Sequence, residues 1–348
     1  MRAWRLHEPG SLDGLRLDEV PDPQLGPQDV LVRVRALGLN SSELQLILGY
    51  WEGRGVHAQR RLPFIAGREA AGDVVAVGAA VESHAIGDRV LIHPYWPCGR
   101  CAQCEAGDDN RCPNRDHVGR NIPGAWSELV RAPARCALTL PAGLSHRAAV
   151  ALAVAGATSW HMLIVRGGLR SDEVALILGG ASGIGTAAIQ IARLAGARVI
   201  ATAGGPAKAQ RLLELGADHA LDHSAPDELA PAVRDLTGGR GADIVYDAIG
   251  GPAFGAGLDA LSLGGRLIVG GYMAGDVVEL SLPAMTMTEA SVIGSGGWTM
   301  RTTRRVLELA AAGRLKPIVD SVHPFEELPR GHERLRRREA FGKVLVVM

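Results

Sequence analysis

The chain has 348 residues, with 37 basic and 37 acidic side chains and a formal net charge of zero, which excludes the basic excess of a nucleic-acid-coating surface. At this length about two domains are expected, and 47% hydrophobic beside 21% charged residues excludes a disordered chain. Two features of composition are unusual: 45 glycines, against an ordinary share of about 7%, and only three lysines, Lys208, Lys316 and Lys343, the other basic residues being arginine.

Met1 to Leu6 places two arginines around Ala3 with no apolar run behind them, so no export signal is expected and the protein reads as soluble and cytoplasmic. Residues 1 to about 145 carry short alternating segments, Val30 to Leu37, Ala71 to Val77 and Arg89 to His93. Pro21, Pro23, Gly26-Pro27 and Gly87-Asp88 separate them, the pattern of a β-barrel-like domain with short strands. Late in this region Cys98, Cys101, Cys104 and Cys112 are spaced C-x2-C-x2-C-x7-C among the turn formers Pro97, Gly99, Gly107, Asp108, Asp109, Asn110 and Pro113. That spacing suits one tetrahedral Zn²⁺ better than a redox or disulfide cluster, and four thiolates leave no open position, so the ion is expected to be structural. Cys136 stands apart and reads as an inert buried thiol. The low-polarity stretch Ala148 to Ile164 is interrupted by Gly156, Thr158, Ser159 and His161; it reads as core-packed and short of a membrane-spanning helix.

From about Glu173 the texture becomes alternating strands and helices. Strands are predicted at Val174 to Leu178, Arg198 to Ala203, Ile244 to Ala248 and Leu267 to Gly270, and helices at Ile184 to Ala195 and Pro206 to Leu215. Such alternation implies a doubly wound parallel sheet with helices on both faces. Between the first strand and helix lies Gly179-Gly180-Ala181-Ser182-Gly183-Ile184-Gly185, a turn whose backbone can approach a pyrophosphate at a helix N-terminus. At the end of the second strand an NAD site usually carries an acidic residue for the ribose 2′-hydroxyl. Here Ala203-Gly204-Gly205 stands there instead, and Lys208 and Arg211 follow one turn apart, a pair suited to a 2′-phosphate, so NADP(H) is expected over NAD(H).

In these features the sequence resembles the medium-chain dehydrogenase/reductase superfamily, in its zinc-type alcohol dehydrogenase-like and quinone oxidoreductase-like branch. The resemblance runs nearly end to end: Glu19-Val20-Pro21-Asp22-Pro23, Gly26 to Val32, Ala36 to Asn40, Gly87-Asp88-Arg89-Val90, the cysteine lobe, Ala181 to Gly185, Glu214 to Asp218 and Phe341-Gly342-Lys343-Val344. It implies an α/β architecture with a GroES-like β-barrel catalytic domain, residues 1–150, carrying the zinc lobe at about 94–115. A Rossmann NADP-binding domain follows at 151–285, and residues 286–348 return to the catalytic domain. It further implies a cleft where nicotinamide meets substrate, and a homodimer or homotetramer.

Departures from the family pattern bear on mechanism. Zinc-dependent members hold a second, catalytic zinc through a cysteine, a histidine beside a glutamate, and a third ligand; the matching positions here are Asn40, Arg68 beside Glu69, and Val154. Asparagine is a poor zinc ligand, and arginine and valine offer no lone pair for one, so a single structural zinc per chain is expected. Without a Lewis acid a simple ketone is hard to polarise, whereas a conjugated carbonyl already makes its β-carbon electrophilic. The resemblance therefore implies an NADPH-dependent reductase of activated C=C bonds or quinones. Asn40 would hold the nicotinamide carboxamide or the substrate carbonyl, and Tyr50 would hydrogen-bond or donate the proton. Arg68 would meet an anionic group or pair with Glu69. Thr158, Gly270 and Gly271 would lie near the nicotinamide, with Ser182, Gly183, Ile184 and Gly185 at the phosphates. An alcohol or aldehyde dehydrogenase and a non-catalytic NADPH-binding protein are the alternatives. The stretch Tyr50 to Arg61, with Arg54, His57, Arg60 and Arg61, reads as a lid or as a solvated loop.

Overall fold

The computed structural model describes residues 1–52, 61–222 and 224–348. In chain order the first strands and helices are β1 (Arg2–Leu6), β2 (Leu15–Glu19), β3 (Asp29–Leu39), α1 (Ser41–Ile47), β4 (Phe64–Ile65), β5 (Ala70–Val77), β6 (Arg89–Ile92), β7 (Tyr95–Trp96), α2 (Ala102–Glu105), β8 (Asp116–His117), β9 (Leu129–Pro133), β10 (Ala137–Thr139) and α3 (His146–Trp160). Then come β11 (Val174–Leu178), α4 (Gly183–Leu194), β12 (Arg198–Ala203), α5 (Pro206–Leu215), β13 (His219–Asp222), α6 (Pro226–Leu236), β14 (Ala242–Asp247), α7 (Pro252–Asp259), β15 (Leu261–Val269), α8 (Leu282–Thr288) and β16 (Ser291–Gly294). The chain closes with α9 (Met300–Ala311), β17 (Val319–Pro324), α10 (Leu328–Arg336) and β18 (Lys343–Val347). Two compact units result: Met1–Val154 with Thr299–Met348, and Ala155–Trp298.

The first unit is built on the mixed sheet β10-β6-β5-β3-β18-β17, with β9 also pairing β3, beside the small sheet β2-β1-β4 and the ladder β7-β8. Strand β3 shows why. Val30, Val32 and Val34 point into the core while Arg33 and Arg35 face solvent, the period of two of a half-buried strand. From Ala36 to Leu39 every residue is buried, and along this stretch β18 pairs antiparallel, Val344 opposite Leu39 and Val347 opposite Ala36. The last strand thus packs against residues far away in sequence. Its core joins Val32, Leu37, Trp126, Phe325, Val344 and Val346.

The second unit is a six-stranded parallel sheet of order β13-β12-β11-β14-β15-β16. All five residues of β11 are buried, as a parallel strand covered on both faces requires. The order reverses between β11 and β14, which places the topological switch point at their carboxyl ends, where open α/β sheets bind ligands. The strands expected at 174–178 and 198–203 and the helix at 206–215 have these bounds; β14 and β15 start earlier than their most apolar cores suggest. The division expected at 285/286 falls instead at 298/299, because β16 adds to this sheet beside β15. With only four residues, β16 carries little periodic signal.

The helix formed by α3 and its π-helical continuation, His146–Arg166, corrects one expectation: at 21 residues it is long and apolar enough to cross a membrane. Its apolar window is 72% buried inside the protein, so it packs as a core helix.

Candidate functional site

The cysteine lobe is the simplest site to build. The four thiol sulfurs of Cys98, Cys101, Cys104 and Cys112 all lie within 4.8 Å of one another. A tetrahedron of thiolates about 2.3 Å from Zn²⁺ has edges of about 3.8 Å. The Cys101 sulfur stands 3.5 Å from that of Cys104 and 3.8 Å from that of Cys112, and no cysteine is in a disulfide. Backbone N–H groups, chiefly that of Arg100, draw the Cys98 thiol down to about 6, whereas burial pushes Cys104 up to about 12. Four thiolates so close together need a bound cation. The donor set fits Zn²⁺ and leaves it no open position. The Asp109 carboxylate anchors the lobe by accepting the Met300 N–H at 3.1 Å, at the start of α9. Cys136 is fully buried, and burial pushes its thiol up to about 12, as suits an inert core residue.

The second cluster gathers around Asn40, the residue before α1. Its amide nitrogen donates to Glu69 Oε2 at 3.1 Å and to Glu43 Oε1 at 3.3 Å. Its amide oxygen accepts from the Lys343 ammonium at 2.7 Å. Lys343 also donates to Glu69 Oε2 at 2.6 Å and to the Leu39 carbonyl at 3.0 Å. The other oxygen of Glu69 accepts the backbone N–H of Val154 at 2.6 Å. Lys343 is 4% exposed and Glu69 1%. Two glycines make this possible. A Cβ on Gly38 would stand 2.2 Å from Glu69 Oε2, and one on Gly67 (φ +88°) would strike the Trp126 ring at 2.1 Å. Arg68, between these elements, donates to the Tyr95 hydroxyl at 2.7 Å, its guanidinium carbon 5.1 Å from the ring centroid.

The electrostatics of the cluster follow from burial. Burial pushes the Glu43 carboxyl up, against the charges of Arg68 and Lys343, which draw it down. Nearby, His93 is held down to about 3 by burial first and then by Arg68 and Arg304, so its ring is neutral at pH 7.

The structure therefore brings Asn40, Arg68, Glu69 and the backbone of Val154 into one buried neighbourhood, and adds Lys343, Glu43 and Tyr95, to which sequence reasoning gave no role. For Lys343 a signal existed: it is one of three lysines and sits in the quoted Phe341 to Val344 motif. Tyr50 follows α1, half-buried, its ring edge-on to Trp51 at 5.0 Å between centroids. Of the stretch considered as a lid, residues 53–60, with Arg54, His57 and Arg60, lie outside the described residues; Arg61 is exposed.

In the second unit Ser182 caps α4, accepting the Gly185 N–H at 3.0 Å and donating to the Gly179 carbonyl at 2.8 Å. A Cβ on Gly185 would lie 2.2 Å from the Gly179 carbonyl oxygen, so only glycine closes this turn. The turn sits at the carboxyl end of β11, with Gly183 and Ile184 opening the helix. Thr158 lies on α3, half-buried. Lys208 is half-buried in the first turn of α5, and Arg211 is exposed one turn on. Gly270 and Gly271 follow β15, where a Cβ would meet the Met162 sulfur at 2.3 Å and the Ala248 carbonyl oxygen at 2.1 Å. Close packing of the chain on itself accounts for both glycines.

Comparison with known proteins follows this geometry. An alcohol dehydrogenase GroES-like domain model matches residues 26–142, and a zinc-binding dehydrogenase model matches residues 183–312. The chain is 27% identical to an acryloyl-coenzyme A reductase of Sulfurisphaera tokodaii, over 97% of this chain and 98% of that one. It is 31% identical to an alcohol dehydrogenase of Geobacillus stearothermophilus, over 95% of each chain. Among solved structures, an NAD-dependent alcohol dehydrogenase matches with a TM-score of 0.92 and 36% identity, covering 100% of both chains.

Proposed function

The chain belongs to the medium-chain dehydrogenase/reductase superfamily, in its zinc-type alcohol dehydrogenase-like branch, and on that premise we propose that it is an NADPH-dependent reductase of activated C=C bonds or quinones, working without a catalytic zinc. One observation carries this reading. The positions that would ligate a catalytic metal are Asn40, Arg68 and Val154, and they are engaged in hydrogen bonds to Lys343, Tyr95 and Glu69. The kinship with an acryloyl-coenzyme A reductase supports a conjugated acceptor.

Bound NADPH supplies hydride from its nicotinamide C4. The protein's part is orientation and charge. The Ser182–Gly185 turn and the N-terminus of α4 would receive the pyrophosphate. Lys208 and Arg211 would hold the 2′-phosphate, and Thr158, Gly270 and Gly271 would lie on the nicotinamide side. Asn40 offers its amide to the carbonyl oxygen on which negative charge develops, and Arg68 adds a buried positive charge nearby. Tyr50, or water, returns a proton to the carbon beside the carbonyl.

The test is a panel of enones, enoyl thioesters, quinones and aldehydes, with NADPH consumption followed at equal concentrations. Turnover confined to the conjugated acceptors is expected. Aldehyde reduction or alcohol oxidation as the sole activity, together with two zinc ions per chain, would establish the alcohol dehydrogenase reading that other relatives suggest. Tight NADPH binding without any turnover would make the protein a cofactor binder. The cofactor is tested separately, since a 36% identical relative is named NAD-dependent. Lys208→Ala is expected to weaken NADPH binding by about 10- to 100-fold, the worth of a charge-assisted hydrogen bond, and to leave NADH binding nearly unchanged. An equal loss for both cofactors would remove the phosphate role.

We also propose that the chain self-associates through the second unit. Among the described residues strand β16 is an edge strand paired only with β15, and Leu282 and Met287 of α8 are 75% and 80% exposed. A two-fold related copy can pair such an edge and cover such side chains. Sedimentation at a monomer's mass at micromolar concentration would contradict it.

A further inference from the structure

The ladder β7-β8 gathers cations around one aromatic ring. Tyr95 stands directly opposite His117 across the ladder, and their rings meet edge to face at 5.1 Å between centroids. The chain just after β8 is held against the residue before Arg68: a Cβ on Gly119 (φ +70°) would lie 2.3 Å from the Gly67 carbonyl oxygen. Arg68 and Arg115 therefore share the Tyr95 ring, their guanidinium carbons 5.1 and 5.5 Å from its centroid. The ring's negative face offsets part of their repulsion. Among the described residues Arg115 is in no ion pair. The carboxylate next to it in sequence, Asp116, accepts instead from the Asn121 amide at 3.0 Å.

What Arg115 does hold fixes its aim. Its Nε donates to His117 Nε2 at 2.9 Å. A guanidinium only donates, so that nitrogen of His117 carries no proton and the imidazole is neutral in this arrangement. With Nε bonded and the guanidinium over an aromatic ring, the side chain has lost much of its rotamer freedom before any ligand arrives. Its two terminal nitrogens have no hydrogen-bond partner among the described residues. Such a planar fork matches the paired oxygens of a carboxylate or a phosphate. Arg115 is half-buried, where a charge pair is worth more than at an open surface. One link joins it to the Asn40 cluster: Arg68, beside Glu69 in sequence, donates to the hydroxyl of the same Tyr95 at 2.7 Å.

We propose that Arg115 is a specificity residue of this site and takes an oxyanion carried by the acceptor, away from the bond that is reduced. The oxyanion is a carboxylate on the acceptor itself or a phosphate on the group that carries it. This rests on the reductase reading for the bond that is reduced, and on the geometry around Tyr95 for the charge. No bond is made or broken at Arg115.

Saturated thioesters test it by equilibrium binding, which needs no turnover. S-butyryl-N-acetylcysteamine is neutral, S-butyryl-N-acetylcysteine is the same thioester with one carboxylate, and butyryl-coenzyme A carries phosphates. They are titrated calorimetrically into the zinc-loaded protein with NADPH bound. At least one of the two anionic thioesters is expected to bind about 10- to 100-fold more tightly than the neutral one, the worth of a charge-assisted pair. Tighter binding of the cysteine thioester assigns the charge to the acceptor, and a preference confined to the coenzyme A thioester assigns it to the carrier. Arg115→Gln is expected to remove the preference. Arg115→Lys, which keeps the charge and loses the fork, is expected to retain part of it. Arg111→Gln, at an exposed arginine of the cysteine lobe paired with Asp108, is expected to keep it in full. Equal Kd for all three thioesters in the wild type, or a preference that survives Arg115→Gln, would overturn the proposal. Failure of every conjugated acceptor to oxidise NADPH would sink the reductase reading instead, and the binding comparison would still decide the role of Arg115.

Discussion

Cys112→Ser is expected to yield protein with no bound zinc and a melting temperature lower on the order of 10 °C. Cys112 is the most buried of the four sulfurs and the last in sequence, so it closes the lobe against the earlier three. Serine oxygen is a poor replacement for thiolate, and three remaining thiolates without a tightly held ion repel one another. Structural zinc in isolated small domains contributes about 10–16 kcal/mol to folding. Here the lobe is one part of a larger unit, so only local order and its anchor are lost. That anchor is the Asp109 carboxylate on the Met300 N–H, which ties the lobe to α9 and to buried Val306 and Leu307. A loss of several kcal/mol in a unit of this size shifts melting by about 2–4 °C per kcal/mol. Metal analysis and thermal denaturation check both halves. Zinc retained at one per chain would mean that the ion is held elsewhere, and Cys136→Ser, in the core and apart from the lobe, should leave the zinc content unchanged.

What could be read from the sequence divides according to distance along the chain. The cysteine lobe was legible because its four ligands fall within one short loop, and Cys98 to Cys112 indeed lie together. The turn from Gly179 to Gly185 was legible for the same reason: strand, cap and helix are consecutive, and the collision at Gly185 is with a residue six positions back. The departures from the family pattern at Asn40, Arg68 and Val154 were legible as residue types. The partners these positions find in the fold were not. Lys343 lies 303 residues from Asn40 and 274 from Glu69, and nothing in the spacing of side chains announces that a closing strand will return to the end of β3. Val154 contributes a backbone N–H, which any residue but proline carries, so its part has no signature in the sequence. Gly270 and Gly271 illustrate a different limit. The resemblance implies that they lie near the nicotinamide, and the packing of Met162 and Ala248 independently excludes a side chain there, which spacing alone does not announce. Of the three lysines, Lys208 stands half-buried in the first turn of α5 and Lys343 is the buried one, a difference that composition does not show.

Glu69→Ala is expected to destabilise the first unit more than any other single carboxylate removal within the Asn40 cluster. The change strands the Lys343 ammonium, 4% exposed, with neutral acceptors only, and breaking one side of a buried pair costs about 3–5 kcal/mol. It also deprives the Val154 N–H of its acceptor and leaves the Asn40 amide only Glu43, adding about 1–3 kcal/mol for a buried donor left unpaired. Glu69→Gln keeps an oxygen for one of those donors and removes the charge, so its melting temperature is expected to fall between those of Glu69→Ala and wild type. Glu333→Gln supplies the contrast. Arg336 and Arg337 draw the Glu333 carboxyl down to about 2, yet both arginines are exposed and Glu333 is only half-buried. Screening and side-chain entropy leave such a surface cluster little net worth, so this variant should melt with the wild type. The order Glu69→Ala, Glu69→Gln, Glu333→Gln in falling cost follows from burial of the partner cation. If Glu333→Gln proved as harmful as Glu69→Ala, burial would not be what makes the Lys343 pair matter, and the case for an internal cation holding the site together would lose its physical basis.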